Sequence, residues 1–255
     1  MARVRVLVLR TAGINCDHET VYAWQLAGAD AELVHVDRLI ESPSRLAGAQ
    51  ILTVPGGFSY GDDIAAGKIL ANQLVHHLAD ELRGFIDAGN LLLGVCNGFQ
   101  VLLKAGLLPG FADGGPRVTL ALNDSSRFEA RWVHLRVCTE RCCFLPEAVR
   151  LRLPVAHAEG KVVVADDEAL ADLNESGHVA LRYVGADGEP ADYPANPNGS
   201  IDHIAGLTDR TGQILGLMPH PERFVDPTHD PLWTRRGGGE PDGLTIFRSA
   251  VHRFR

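Results

Sequence analysis

Ten residues near the middle of the chain, Leu91-Leu92-Leu93-Gly94-Val95-Cys96-Asn97-Gly98-Phe99-Gln100, leave little freedom in what can be built around them. A short apolar run enters Gly-x-Cys-x-Gly, and an apolar helical pattern follows from Val101 to Ala105. That order predicts a buried strand, a tight turn and a helix. Glycines on both sides of the cysteine let the strand and helix backbones pass closely, because neither carries a β-carbon. The apical residue is then lifted above the end of a sheet, as in the Gly-x-Ser-x-Gly nucleophile elbow, with a thiol replacing the hydroxyl. An ordinary free cysteine is a small buried apolar residue. A cysteine at the start of a helix gains from the positive end of the helix dipole, which favours thiolate. Cys96 is therefore the candidate nucleophile.

A chain of 255 residues suits one large domain, or one domain with an elaboration. The formal charge of −8, with arginines scattered rather than clustered, argues against a nucleic-acid surface. The apolar run near the N-terminus, Val4 to Leu9, is too short for a secretory signal or a membrane span and reads as a first strand. Cysteines at 16, 96, 138, 142 and 143 form neither a disulfide ladder nor a metal spacing. His134, Cys138, Cys142 and Cys143 lack the second, separated pair of ligands that a zinc site needs, so no metal is expected. The expected compartment is reducing and cytoplasmic.

Strand and helix signals alternate through the first half. Strands are expected at Val4–Leu9, Ala31–Val36, Ile51–Val54 and before Cys96. Asp17 is the expected N-cap of a helix through Leu26, stopped by Gly28, and a long helix is expected from about Lys68 to Ala88. Repeated units of this length predict an α/β fold, a doubly wound, mostly parallel sheet flanked by helices on both faces. From about 118 to 212 the pattern changes. Val118–Leu122, Phe128–Val137, Val162–Ala165 and His178–Val184 read as strands with no long helix between them, an antiparallel or mixed β elaboration of the single domain 1–255. Ile214–Met218 returns as a strand, and a helix from about Leu244 to Phe254 closes the chain. Between them, the Pro-, Gly- and Arg-rich stretch 230–242 reads as a mobile surface loop.

A nucleophilic thiol needs a base. Of the eleven histidines, those at 18, 35, 76, 77, 134, 178, 229 and 252 lie in patterns that solvent or a helix face explains, leaving His157, His203 and His220. His220 follows a core strand directly, in Met218-Pro219-His220-Pro221-Glu222-Arg223. In an extended backbone, which the two prolines would hold, His220 and Glu222 share a face. That is the arrangement of a Cys-His-Glu triad, and equally of a capped turn with a solvated histidine and glutamate. An oxyanion hole would take one N–H from Asn97 and another from the glycine-rich loop Pro55-Gly56-Gly57-Phe58-Ser59-Tyr60-Gly61-Asp62-Asp63. That loop lacks the lysine of a phosphate-binding Walker motif.

Taken together, Pro55–Asp62, Gly94–Gln100 and Met218–Arg223 resemble the class I, triad-type glutamine amidotransferases. Asn15-Cys16-Asp17, Asn123–Glu129, Pro154–Gly160 and Asn196–Ser200 are similar, within that class, to the glutaminase subunits of phosphoribosylformylglycinamidine synthase. The resemblance spans nearly the whole chain. It implies Cys96, His220 and Glu222 as the triad, Gly57 and Asn97 as oxyanion donors, and Gln100, Asn123, Ser125 and Phe128 as contacts to L-glutamine. It also implies that ammonia passes to a separate synthetase subunit, which uses ATP and magnesium, with a small bridging subunit between them. No cofactor is expected in this chain. His157 and Glu159 are implied either as part of a docking surface or as a buried structural turn. A related cysteine-elbow peptidase or thiol stress protein would usually carry histidine directly after the cysteine, where this chain has Asn97. A non-catalytic scaffold would be expected to have lost Cys96, His220 or Glu222.

Overall fold

A computed structural model of the chain describes residues 3–110, 117–145, 150–236 and 239–255. Its first half runs β1 (Arg5–Arg10), α1 (Asp17–Leu26), β2 (Asp30–His35), α2 (Val36–Glu41), β3 (Ile51–Val54), α3 (Lys68–Asp87), β4 (Leu91–Val95) and α4 (Asn97–Lys104). The second runs β5 (Val118–Leu122), β6 (Glu129–Val137), β7 (Arg150–His157), β8 (Glu159–Val164), α5 (Asp167–Glu175), β9 (Val179–Val184) and β10 (Ile204–Thr208). Strand β11 (Ile214–Leu217), the short α6 (Trp233–Arg236) and α7 (Asp242–His252) complete it.

Strands β2, β1, β3, β4 and β11 lie side by side and parallel, in the 2-1-3-4-5 order of flavodoxin-like sheets. Every residue of β3 and β4 is buried, as a parallel strand covered on both faces requires. The strand order reverses at β1, so right-handed crossovers put α1 on one face and α3 on the other. Helix α7 joins α1 through an edge-to-face contact of Trp24 and Phe247, centroids 4.7 Å apart. Helix α4 packs beside α3. Beyond β11 the same sheet continues through β10, β9, β6 and β7, each antiparallel to its neighbour, while β5 and β8 form a separate antiparallel ribbon. The expected elaboration is therefore an extension of the parallel sheet.

Several local expectations are corrected. Asp17 is the first residue of α1 rather than its cap. Cys16 holds the cap position, its carbonyl accepting from the Thr20 amide and hydroxyl, while the Asp17 carboxylate pairs with Arg10. A helix does occur between the later strands. Asp166 caps α5 by accepting from the Ala169 amide at 2.8 Å, an Asp-initiated start hidden among charged residues. Strand β7 was not expected because Pro154 interrupts it; β7 is the edge of the sheet, where a missing N–H costs no ladder bond. His178 is buried, its Nδ1 2.9 Å from the Thr208 carbonyl, and belongs to the core rather than to solvent. In the expected surface loop 230–242, Asp230 and Asp242 both reach β7, through the Arg152 guanidinium and the Arg152 amide. Gly237 and Gly238 in that stretch lie outside the described residues.

Candidate active site

The carboxyl ends of β1, β3, β4 and β11 meet at one edge of the sheet, the usual place for a site in this architecture. Register fixes what lies there. Val95 of β4 pairs with Leu217 of β11, so Cys96 stands beside the start of the His220 segment, and its N–H donates to the Leu217 carbonyl at 2.8 Å. Cys96 has φ 51° and ψ −106°, a conformation a side chain rarely adopts, and its residue is 7% exposed. Both flanking glycines are required. A β-carbon at Gly98 would overlap the Val54 carbonyl oxygen, and one at Gly94 would lie 2.6 Å from Leu102 Cδ1.

Helix α4 starts at Asn97, so the Asn97 N–H belongs to the first turn and has no intrahelical acceptor. Gly57 follows β3 with φ 141°, and a β-carbon there would lie 2.8 Å from the Asn15 nitrogen. The Asn97 side chain links the two loops. Its Oδ1 accepts from the Ser59 amide at 3.1 Å, and its Nδ2 donates to Asp62 Oδ1 at 3.2 Å and to Gln100 Oε1 at 2.9 Å. Gln100 Nε2 in turn donates to the Glu159 carbonyl at 2.7 Å.

His220 and Glu222 are both buried, with Nδ1–H donating to Oε1 at 2.6 Å. They do not share an extended strand. Pro221 opens a 3-10 turn over Pro221–Arg223, consistent with proline's fixed φ at a first helical position, and the turn folds the carboxylate back onto the ring. Among the described residues His220 Nε2 has no hydrogen-bond partner. Burial opposes a charge on this ring, but the Glu222 carboxylate and the nearby thiols of Cys96 and Cys16 outweigh it and hold His220 well above the ordinary imidazole range.

Cys16 is the residue that sequence reasoning left out of the site. A β-carbon at Gly56 would lie 2.9 Å from His220 Cε1, 3.1 Å from Cys16 Sγ and 3.4 Å from Cys96 Cβ, so all three groups surround one point. Arg223 donates to Cys16 Sγ at 3.1 Å and pairs with Glu19 at 2.9 Å. Burial pushes the Cys16 thiol up. Two signals were available: the Asn15-Cys16-Asp17 motif of the resemblance, and position, since Cys16 ends the loop after β1 at the same sheet edge. Among the described residues Cys16, His220 and Glu222 form a group whose donor atoms lie within 4.8 Å of one another and could hold a metal ion. An ion bound there would occupy the same imidazole and carboxylate that serve Cys96.

The remaining expected residues separate. A cavity of about 220 Å³ is lined by Cys96, Gly57, Gln100, Phe128, His157 and His220, with Cys16 and Arg223 at its side. Ser125 is not among its lining residues and hydrogen-bonds to Glu129 at 2.8 Å. Asn123 is buried, and its amide is fully used within the chain. It donates to the carbonyls of Arg127 and His157 and accepts from the Gly160 amide, with His157 Nδ1 3.1 Å away. It has no free atom for a ligand, which corrects the expectation of direct contact. Asn198 donates to the Gly160 carbonyl at 2.8 Å, and Ser200 accepts from the Val162 amide. The motifs at Asn123, His157–Gly160 and Asn196–Ser200 therefore converge on one turn, between β7 and β8.

A family model described as the CobB/CobQ-like glutamine amidotransferase domain matches residues 3–254. The chain is 46% identical over 254 residues to phosphoribosylformylglycinamidine synthase subunit PurQ of Dehalococcoides mccartyi, covering 98% of each. It is 42% identical to the subunit of that name from Archaeoglobus fulgidus, covering 97% of this chain and 96% of that one. A chain of the PurLQS structure from Thermotoga maritima matches its fold with a TM-score of 0.75 and 31% identity, over 100% of both.

Proposed function

This chain belongs to the family of CobB/CobQ-like glutamine amidotransferases, and on that footing we propose that it is the glutaminase subunit of a phosphoribosylformylglycinamidine synthase. The observation that carries the reading is the buried His220–Glu222 pair at 2.6 Å, beside a cysteine held at positive φ between two obligatory glycines. The Cys96 sulfur attacks the side-chain amide carbon of L-glutamine. Negative charge gathering on the amide oxygen is met by the N–H groups of Gly57 and Asn97, each worth about 3 kcal/mol in comparable sites. His220 gives its proton to the departing nitrogen, and ammonia leaves a γ-glutamyl thioester on Cys96. The now neutral His220 takes a proton from water, which attacks the thioester and releases glutamate. Glu222 orients the ring and stabilises its charged form throughout.

Ammonia is the product that a partner consumes. Relatives named as a synthase subunit, and a matched chain from a PurLQS assembly, support a separate synthetase subunit as the acceptor. That subunit uses ATP and magnesium to convert formylglycinamide ribonucleotide to the amidine, and a small bridging subunit joins the two in de novo purine biosynthesis. Phe58 and Phe128, half-exposed at the cavity, and Ile64 close by in sequence give such a partner apolar surface to cover. No helix among the described residues is long and apolar enough to cross a membrane. We place the protein in the cytoplasm. The reading is tested by glutamine-dependent ammonia release with the wild-type chain and Cys96→Ala, alone and with the synthetase subunit, ATP and nucleotide. Release that falls at least about a thousandfold in Cys96→Ala and rises with the complete complex is expected. Release indifferent to that synthetase would remove the purine assignment.

A further inference from the structure

Two cavity-lining imidazoles carry a ring nitrogen that is buried and without a partner among the described residues: Nε2 of His220 and Nε2 of His157. The first is accounted for by the chemistry of Cys96. The second has no role in it so far.

The hydrogen bonds around His157 fix its tautomer. Asn123 spends both N–H groups on carbonyl oxygens, those of Arg127 and His157 itself, at 2.9 and 2.8 Å. Its Oδ1 is thereby turned toward the Gly160 amide and His157 Nδ1, each at 3.1 Å. An amide oxygen can only accept, so Nδ1 carries the proton and Nε2 keeps its lone pair. The ring lies against Gly160, where a β-carbon would collide with it, so it cannot swing away on that side. Burial, with the charged His220 nearby, pushes His157 down to about 3, and the ring stays neutral. The Ala156 carbonyl, one residue before, already receives the Cys96 thiol at 3.7 Å. The β7–β8 turn thus presents a second imidazole of fixed polarity to the reacting cysteine: an acceptor, where His220 is a donor.

Resting on the amidotransferase reading, we propose that His157 Nε2 accepts an N–H from the side-chain carboxamide of glutamine, and so selects amide over carboxylate. The carboxamide nitrogen offers two N–H groups, while its carbonyl oxygen is spoken for by Gly57 and Asn97. One N–H held by His157 orients the nitrogen to receive the proton from His220. Glutamate, the product, brings an oxygen lone pair to the same place. A neutral acceptor repels it, which favours release. A site built around a substrate N–H rejects an analogue that lacks one.

The test compares L-glutamine with L-glutamate γ-methyl ester, which has no N–H at that position, in the wild-type chain, His157→Leu and His157→Gln, each assembled with the synthetase subunit. For His157→Leu, kcat/KM on glutamine is expected to fall about tenfold or more, while the ester stays within about twofold. His157→Gln keeps an acceptor oxygen and is expected to hold the amide-to-ester ratio within about threefold of wild type. His157→Asn, which withdraws the acceptor without removing polarity, takes the place of the leucine variant if that chain does not fold. Equal losses on amide and ester would mark a structural role and overturn the proposal, as would no loss on the amide. A wild-type chain that leaves glutamine untouched would sink the amidotransferase reading itself, a distinguishable result.

Discussion

Where the parallel half of the sheet reaches the cavity, main-chain geometry fixes the chemistry; where the antiparallel half reaches it, side-chain amides do. On the first side Gly94 and Gly98 let α4 pack against β3 and β4, and Cys96 takes its φ of 51° from that close approach. On the second, the turn between β7 and β8 is held from below by Asn123, Asn198 and Ser200, all buried and all bonded to its backbone. A backbone device fails by steric overlap. An amide device fails by leaving buried donors and acceptors without partners. The two failures differ in size and in which part of the reaction they reach.

The sharpest break is Gly98→Ala. Its β-carbon would meet the Val54 carbonyl, a main-chain oxygen at the end of a buried strand, and nothing flexible can give way. The expected cost is about 4 kcal/mol or more, at the exceptional end of single substitutions. It is measured by denaturant unfolding, with loss of glutaminase activity and of Cys96 alkylation in whatever remains folded. Retained alkylation and turnover would show that the elbow tolerates a wider strand–helix gap than its geometry indicates.

Asn123→Ala breaks the other side more gently. It strips partners from the Gly160 amide and from two carbonyls, so a loss of about 2–3 kcal/mol is expected. The triad is untouched, so iodoacetamide should still reach Cys96 at close to the wild-type rate while turnover of glutamine drops. A parallel fall in both rates would mean that the two halves of the cavity are not separable.

That contrast also explains what the sequence could disclose. Gly-x-Cys-x-Gly between an apolar run and an apolar helix is a local pattern, because the clash that selects glycine lies within one strand–turn–helix unit and its neighbour. The same is true of β1, β3 and β4, which read as largely apolar runs. The His220–Glu222 spacing was visible, but not the 3-10 turn that brings the carboxylate to the ring. The network under His157 draws on residues 123, 157, 160, 198 and 200, with hydrogen bonds linking positions up to 40 apart in the chain. No periodicity records such a set. Only resemblance flagged its motifs, and for Asn123 it implied a contact to glutamine where the amide is spent on the β7–β8 turn. Cys16 escaped for a similar reason: its place beside His220 depends on how the β1 loop crosses Gly56.

The smallest effect separates the two cavity histidines by sign. His157 titrates near 3 in the folded chain, below the ordinary imidazole value of 6.5, so the unfolded chain binds that proton first. Its contribution to stability is complete above about pH 6.5 and is lost as pH falls toward 3, amounting to about 2 kcal/mol between roughly pH 7 and 5. His220 is raised, so its contribution is present below about 6.5 and is lost only as pH rises through its folded value. The two slopes oppose each other in the wild-type chain. Replacing His157 with glutamine removes one of them, and the acid-side change in unfolding free energy should then shift by about 2 kcal/mol in favour of the variant. Urea unfolding at closely spaced pH values for both chains isolates the acid-side term, because groups remote from His157 cancel in the difference and His220 titrates on the alkaline side. Superimposable pH profiles would mean that His157 takes up a proton in the folded protein as readily as in the unfolded one, near 6.5, and below that pH its Nε2 would be a donor, opposite to the role of acceptor that the Asn123 hydrogen bonds define.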